Sequence, residues 1–130
     1  MTAPSPEVDN ELATRLAVRI ESDLKAFRKH PWWAVEKGYV YTEDEKPPPG
    51  QPAVRPFPDW PYLRVLADLW MDNPLALLCK SRQMLVSWLF AYLHLWDAIA
   101  HRGRHNLFQG KRQDDVSATG TKGTLGRARF

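Results

Sequence analysis

Asn73-Pro74-Leu75-Ala76-Leu77-Leu78-Cys79-Lys80-Ser81-Arg82-Gln83-Met84-Leu85-Val86-Ser87-Trp88 holds three local preferences in succession. Leu75 to Cys79 is a continuous apolar run, too short for a helix and bounded by Pro74 and Lys80. Such a run suits a parallel strand buried on both faces. Lys80 to Leu85 is a compact basic loop, and Ser87 opens a long apolar segment with helical character. A strand, a phosphate-sized loop and a hydroxyl at a helix N-terminus are the parts of a nucleotide-binding P-loop.

The match to the P-loop pattern G-x-x-x-x-G-K-[ST] is poor. With the hydroxyl on Ser87, the lysine position is Val86, the second glycine is Leu85 and the first glycine is Lys80. The chemistry has other ways to be met. Lys80 and Arg82 supply cations from the front of the loop, Ser87 supplies an oxygen for Mg²⁺, and the helix dipole favours an anion. Leu85 lacks the conformational freedom of glycine. On these residues alone, a plain strand-to-helix turn with two exposed basic side chains is the simpler account.

Outward from the loop, Ser87 to about Ala100 is apolar nearly all round, as in a helix covered on most faces. His105 to Gln109 is expected to be a second short strand, giving a right-handed strand–helix–strand unit. Upstream, Asp59 is a candidate cap and Pro61 suits a first helical turn. The helix from Pro61 to about Met71 is expected to bury Leu63, Leu66, Ala67 and Trp70. Thr42 to Pro58, with Glu43-Asp44-Glu45 and Pro47-Pro48-Pro49-Gly50, reads as an exposed linker of polyproline character. Trp32 to Tyr41 is aromatic and expected to be partly extended, after His30-Pro31 ends the preceding helix. That helix, from about Glu11 to Lys29 with Asp9 or Asn10 as cap, carries Leu12, Leu16, Ile20, Leu24 and Phe27 as one stripe. The stripe implies packing on a neighbouring element.

The composition bounds the class. At 130 residues, 44% apolar and 25% charged, the chain suits about one globular domain. Charge divides unevenly: nine Lys/Arg face twelve Asp/Glu from Met1 to Cys79, and nine face three from Lys80 to Phe130. The basic second half favours polyanionic partners, although ordinary surface cations account for it equally well. The single cysteine, Cys79, excludes an internal disulfide and a cysteine-based zinc site, and is expected to be a small buried residue. Met1 to Asn10 is polar, so no cleavable signal peptide is expected and an intracellular location follows. Met84 to Ala100 is the one membrane-span candidate, but it is short and carries Ser87, His94 and Asp97, which argues against spanning.

Other constellations are weaker. His94 and His101 share a helical face, but with no third ligand in view a hydrogen-bonded histidine and a helix-end histidine are expected. Trp32, Trp33, Trp60 and Tyr62 are candidates for stacking on a base, with core packing the simpler account. Gly120-Thr121-Lys122-Gly123-Thr124 is glycine-rich and basic but follows no strand.

Lys80-Ser81-Arg82-Gln83-Met84-Leu85-Val86-Ser87-Trp88-Leu89 is similar to the deviant Walker A segment of phage terminase large subunits. In that family the basic residue is displaced to the front of the loop, and the core commonly reads K-S-R-Q-M followed by Ser or Thr and Trp. Pro56-Phe57-Pro58-Asp59, Tyr62-Leu63 and Trp70 resemble the family's segment before the ATPase strand. Leu107-Phe108-Gln109-Gly110-Lys111-Arg112-Gln113-Asp114-Asp115 resembles its second strand and following turn. Leu125-Gly126-Arg127-Ala128-Arg129-Phe130 resembles what comes next. The likeness spans about Val40 to Phe130.

The resemblance implies ATP and Mg²⁺ as ligands, with double-stranded DNA, a portal and a small terminase subunit as partners. It also implies a bacterial host cytoplasm, with a phage or prophage gene. The family's activity is ATP-driven DNA packaging, with endonuclease cleavage by another domain. Carried onto this sequence, Lys80 and Arg82 contact phosphates, Ser81 and Gln83 line the loop, and Ser87 holds Mg²⁺. Leu85 departs from a frequent glycine and Gly110 from a common serine. No apolar run ending in paired acids follows Gln109, so a Walker B pair and a nuclease are missing, and Asp114-Asp115 do not replace them. Without those carboxylates, nucleotide binding is the most that is expected.

The expected fold is therefore α/β, a partial P-loop NTPase-type parallel sheet with an N-terminal helical segment, incomplete. Its parts are an N-terminal helical and aromatic segment at 1–41, a proline-rich acidic linker at 42–58, and the truncated start of an ATPase domain at 59–130, whose missing C-terminal part is itself a partner. A non-enzymatic DNA- or partner-binding module, or an inactive prophage remnant, is the alternative.

Overall fold

The computed structural model describes residues 6–44, 46–73, 75–81 and 84–109. The chain divides into two units, Met1–His30 and Pro31–Phe130.

The first unit is one helix, α1, Pro6–Lys29. Its periodic sequence makes it helical, and the His30-Pro31 step ends it where expected. It starts before Asp9 and Asn10, so neither caps it: the Asn10 carbonyl instead accepts a hydrogen bond from Thr14 Oγ1 at 2.9 Å. Glu11–Arg15 and Glu21–Lys25 form ion pairs one turn apart, at 2.6 and 2.9 Å. Leu12, Leu16, Ile20 and Leu24 form the expected stripe, and all four are exposed.

The second unit is built from α2 (Trp32–Glu36), β1 (Tyr41–Glu43), β2 (Val54–Pro56), α3 (Pro61–Asp72) and α4 (Val86–Ala100). Pro31 pre-sets the backbone for α2, with φ −63° and ψ −30°. Gly38 ends it in the left-handed region at φ 73°, where the Tyr39 N–H reaches back to the Ala34 carbonyl at 2.9 Å. One turn of helix thus occupies a segment expected to be partly extended.

The segment expected to be a linker opens and closes on a hairpin. β1 and β2 are antiparallel, with Tyr41 opposite Pro56, Thr42 opposite Arg55 and Glu43 opposite Val54. Backbone bonds Phe57 N–H to Val40 O (2.7 Å) and Asp44 N–H to Ala53 O (2.8 Å) extend the pairing at both ends. Arg55 pairs with Asp44 across the hairpin, and Gln51 N–H closes a turn on Pro48 O at 3.0 Å, with Gly50 at φ 81°. That turn folds the proline run back on itself instead of leaving it as an extended spacer.

The core lies among α2, the end of the hairpin, α3 and α4. Trp32, Val35, Phe57, Leu63, Ala67, Leu89 and Leu93 are buried together, with Leu66, Trp70, Leu85, Trp88 and Tyr92 packed against them. Trp32 and Phe57 meet edge to face with centroids 6.5 Å apart. Two polar ties cross this core. Trp32 Nε1 donates to Asp59 Oδ1 at 2.9 Å, and the Tyr92 hydroxyl donates to the Pro31 carbonyl. Asp59 therefore does not cap α3; Trp60 occupies the cap position without a side-chain bond. Burial pushes the Tyr92 phenol well above its ordinary range.

The architecture is thus mixed helix with a small antiparallel sheet, the only sheet among the described residues. Residues 75–81 and 104–109, expected to contain the two parallel strands, carry neither strand nor helix. Leu75 and Leu77 are 91% and 94% exposed, and Cys79, expected to be buried, is exposed beside them. The reason is physical: a strand is completed by a neighbour's backbone, and no described strand lies beside this run.

Candidate functional site

The loop between residue 79 and α4 is placed from its C-terminal side. Val86 is buried at 4%, and Leu85 packs on the core cluster, so the first residues of α4 are tied to the interior. Leu85 is the sole non-glycine residue with positive φ among the described residues, at φ 55° and ψ 7°. This left-handed conformation costs an ordinary side chain about 1–2 kcal/mol relative to the right-handed one. It also falls at the position where the P-loop pattern sets glycine, the residue that adopts it freely.

Immediately before it, the Met84 carbonyl accepts a hydrogen bond from the Tyr62 hydroxyl at 3.0 Å. Tyr62 belongs to the first turn of α3 and lies against Trp60, with ring centroids 5.9 Å apart and planes 31° from parallel. Both rings are partly in solvent, at 37% and 46% exposure. The loop end is thus held from two directions, by the core through Leu85 and Val86 and by α3 through Tyr62.

Ser87 is the second residue of α4 and is exposed, and no side chain caps the helix. Backbone N–H groups of an uncapped first turn, with the positive end of the helix dipole, favour an anion. Lys80 and Ser81 are exposed upstream of it. Arg82 and Gln83 lie outside the described residues, as do Gly110 to Phe130 with Asp114, Asp115 and the glycine-rich Gly120–Thr124 run. The described part therefore brings together Ser87, the start of α4 and, through Met84, Tyr62.

These residues offer part of what a phosphate group needs, N–H donors at the start of α4 and an exposed cation at Lys80 upstream in the chain. They fit Mg²⁺ only in part: Ser87 offers one hydroxyl, and no group of three His, Cys, Asp or Glu side chains suited to a metal occurs among the described residues. Mg²⁺ usually takes one or two carboxylates alongside nucleotide phosphates and water.

His94 and His101 make local contacts. His94 is half-buried, with Nδ1 2.7 Å from the Phe90 carbonyl and its ring 5.1 Å from Phe108 and 5.5 Å from Trp70. His101 Nδ1 lies 3.2 Å from Asp97 Oδ1, without the alignment of a hydrogen bond, and Arg104 Nε lies 3.8 Å from the same oxygen. Trp32 is core, as the simpler account expected, whereas Trp60 and Tyr62 are surface residues at the loop. The role of Tyr62 was hidden in sequence because 22 residues separate it from Met84.

Among the described residues, no helix is long and apolar enough to cross a membrane. Compared with known proteins, the chain matches no family model, no curated protein and no solved structure.

Proposed function

We propose that this chain is the amino-terminal part of a terminase-type ATPase and binds a nucleotide through Lys80 to Ser87. The supporting observation is Leu85. The P-loop pattern, set on Ser87, demands glycine-like backbone at residue 85, and Leu85 adopts the left-handed conformation directly before α4. The resemblance of Lys80 to Leu89 to the displaced Walker A segment points the same way.

On this reading Lys80 and Arg82 neutralise phosphate oxygens, Ser81 and Gln83 line the loop, and the first N–H groups of α4 hydrogen-bond to phosphate. Ser87 holds the nucleotide's Mg²⁺, which neutralises phosphate charge when bound. The proposal is limited to nucleotide binding, and hydrolysis is not part of it. The exposed Leu75-Ala76-Leu77-Leu78 run becomes a buried parallel strand when the rest of an ATPase sheet is supplied. Double-stranded DNA, a portal and a small terminase subunit are partners of the completed motor in a bacterial cytoplasm.

Equilibrium binding of a fluorescent ATP analogue with Mg²⁺ tests this reading. Lys80→Ala and Ser87→Ala should each weaken binding by roughly tenfold, the loss of one charge-assisted contact. Equal binding by the wild type and both variants rejects it. Salt-dependent DNA binding indifferent to ATP and Mg²⁺ would favour a binding module that uses the basic second half.

A further inference from the structure

We infer that Tyr62 is a positioning residue for the phosphate-binding loop, acting through the Met84 peptide; this rests on the nucleotide reading above. The Tyr62 hydroxyl donates to the Met84 carbonyl at 3.0 Å. No described peptide bond is cis, so in the planar trans unit the Leu85 N–H points opposite to that carbonyl. Fixing the carbonyl toward α3 therefore fixes the Leu85 N–H away from it. That amide belongs to the residue that turns the chain into α4, at φ 55°.

The anchor is tied to α3. Tyr62 sits in the first turn of α3, its ring is braced by Trp60, and the next residue, Leu63, is fully buried. Leu85 packs on the same core. Tyr62 thus spares the loop part of the ordering that phosphate binding would otherwise demand, because the peptide plane at residues 84–85 is already set. Its hydroxyl is near the surface, so the bond contributes more to loop geometry than to global stability.

Tyr62→Phe removes the hydroxyl and keeps the ring. Three readouts are taken on the full chain: affinity for a fluorescent ATP analogue with Mg²⁺, amide exchange over residues 84–88, and the thermal midpoint. The expected result is a roughly fivefold loss of affinity, the worth of one net hydrogen bond. Faster exchange at Leu85 and Val86, with a midpoint within about 3 °C of wild type, should accompany it. Unchanged affinity and exchange in a protein whose binding still depends on Lys80 overturns the inference and leaves the nucleotide reading standing. A large fall in midpoint also overturns it, since the role would then be structural. Absence of nucleotide binding by the wild type rejects both.

Discussion

Trp32 Nε1 donates to Asp59 Oδ1 at 2.9 Å, joining the first residue of α2 to the segment that leads into α3. Trp32 is 1% exposed, so the carboxylate is an acceptor for a donor held inside the core. Asp59→Ala should lower unfolding stability by about 1–3 kcal/mol in urea denaturation, and Asp59→Asn should keep most of it. Equal losses in both variants would show that charge, not the hydrogen bond, matters at this position.

Leu85 offers a reversal of the usual ranking of small residues. In a helix interior alanine is more stabilising than glycine by about 1 kcal/mol. At φ 55° the order should invert, so Leu85→Gly should be more stable than Leu85→Ala by a similar amount. Both variants lose the packing of Leu85 on the core, which cancels in the comparison. Alanine matching or exceeding glycine would contradict the left-handed assignment.

Core and strand-like apolar residues should respond differently to truncation. Leu63 and Leu89 are fully buried, so alanine at either should cost about 2–5 kcal/mol. Leu77 is 94% exposed, and Leu77→Ser should stay within about 0.5 kcal/mol. A large loss at Leu77 would mean that residues 75–79 are covered in solution.

Tyr92 predicts an alkaline limb in stability. Burial raises its phenol in the folded state, so the folded protein holds that proton more tightly than the unfolded chain does. The contribution is complete below the ordinary tyrosine value of about 10 and declines as pH rises above it toward the folded value. Urea midpoints between about pH 9 and 11 should fall more steeply for wild type than for Tyr92→Phe. Parallel slopes would remove Tyr92 as the cause.

The helices were legible because their signals are local. α3 begins at Pro61 and buries Leu63 and Ala67 as its spacing implies, and α4 follows its apolar run within one residue of the expected start. α1 starts a turn early because its first residues also tolerate helix. α2 was hidden by its length, a single turn set by Pro31 and Gly38 rather than by periodicity. The hairpin was hidden by three-residue strands around a proline run. The expected parallel strands are not formed among the described residues for a different reason. An apolar run reports what a segment would bury, not whether a neighbour is there to bury it, and Leu75 and Leu77 remain exposed. Asp59 also departed from its local signal, since it does not cap α3 and instead accepts from Trp32, 27 residues away. In the candidate site, Leu85 read only as a departure from glycine, whereas its left-handed backbone and the tie from Tyr62 depend on how α3 meets α4.

The most direct measurement is amide hydrogen exchange of the wild-type chain with and without ATP and Mg²⁺. Nucleotide binding at the start of α4 predicts slower exchange concentrated at residues 84–88, weakened by Lys80→Ala. Exchange that is unchanged by nucleotide, or slowed only away from this segment, would contradict it.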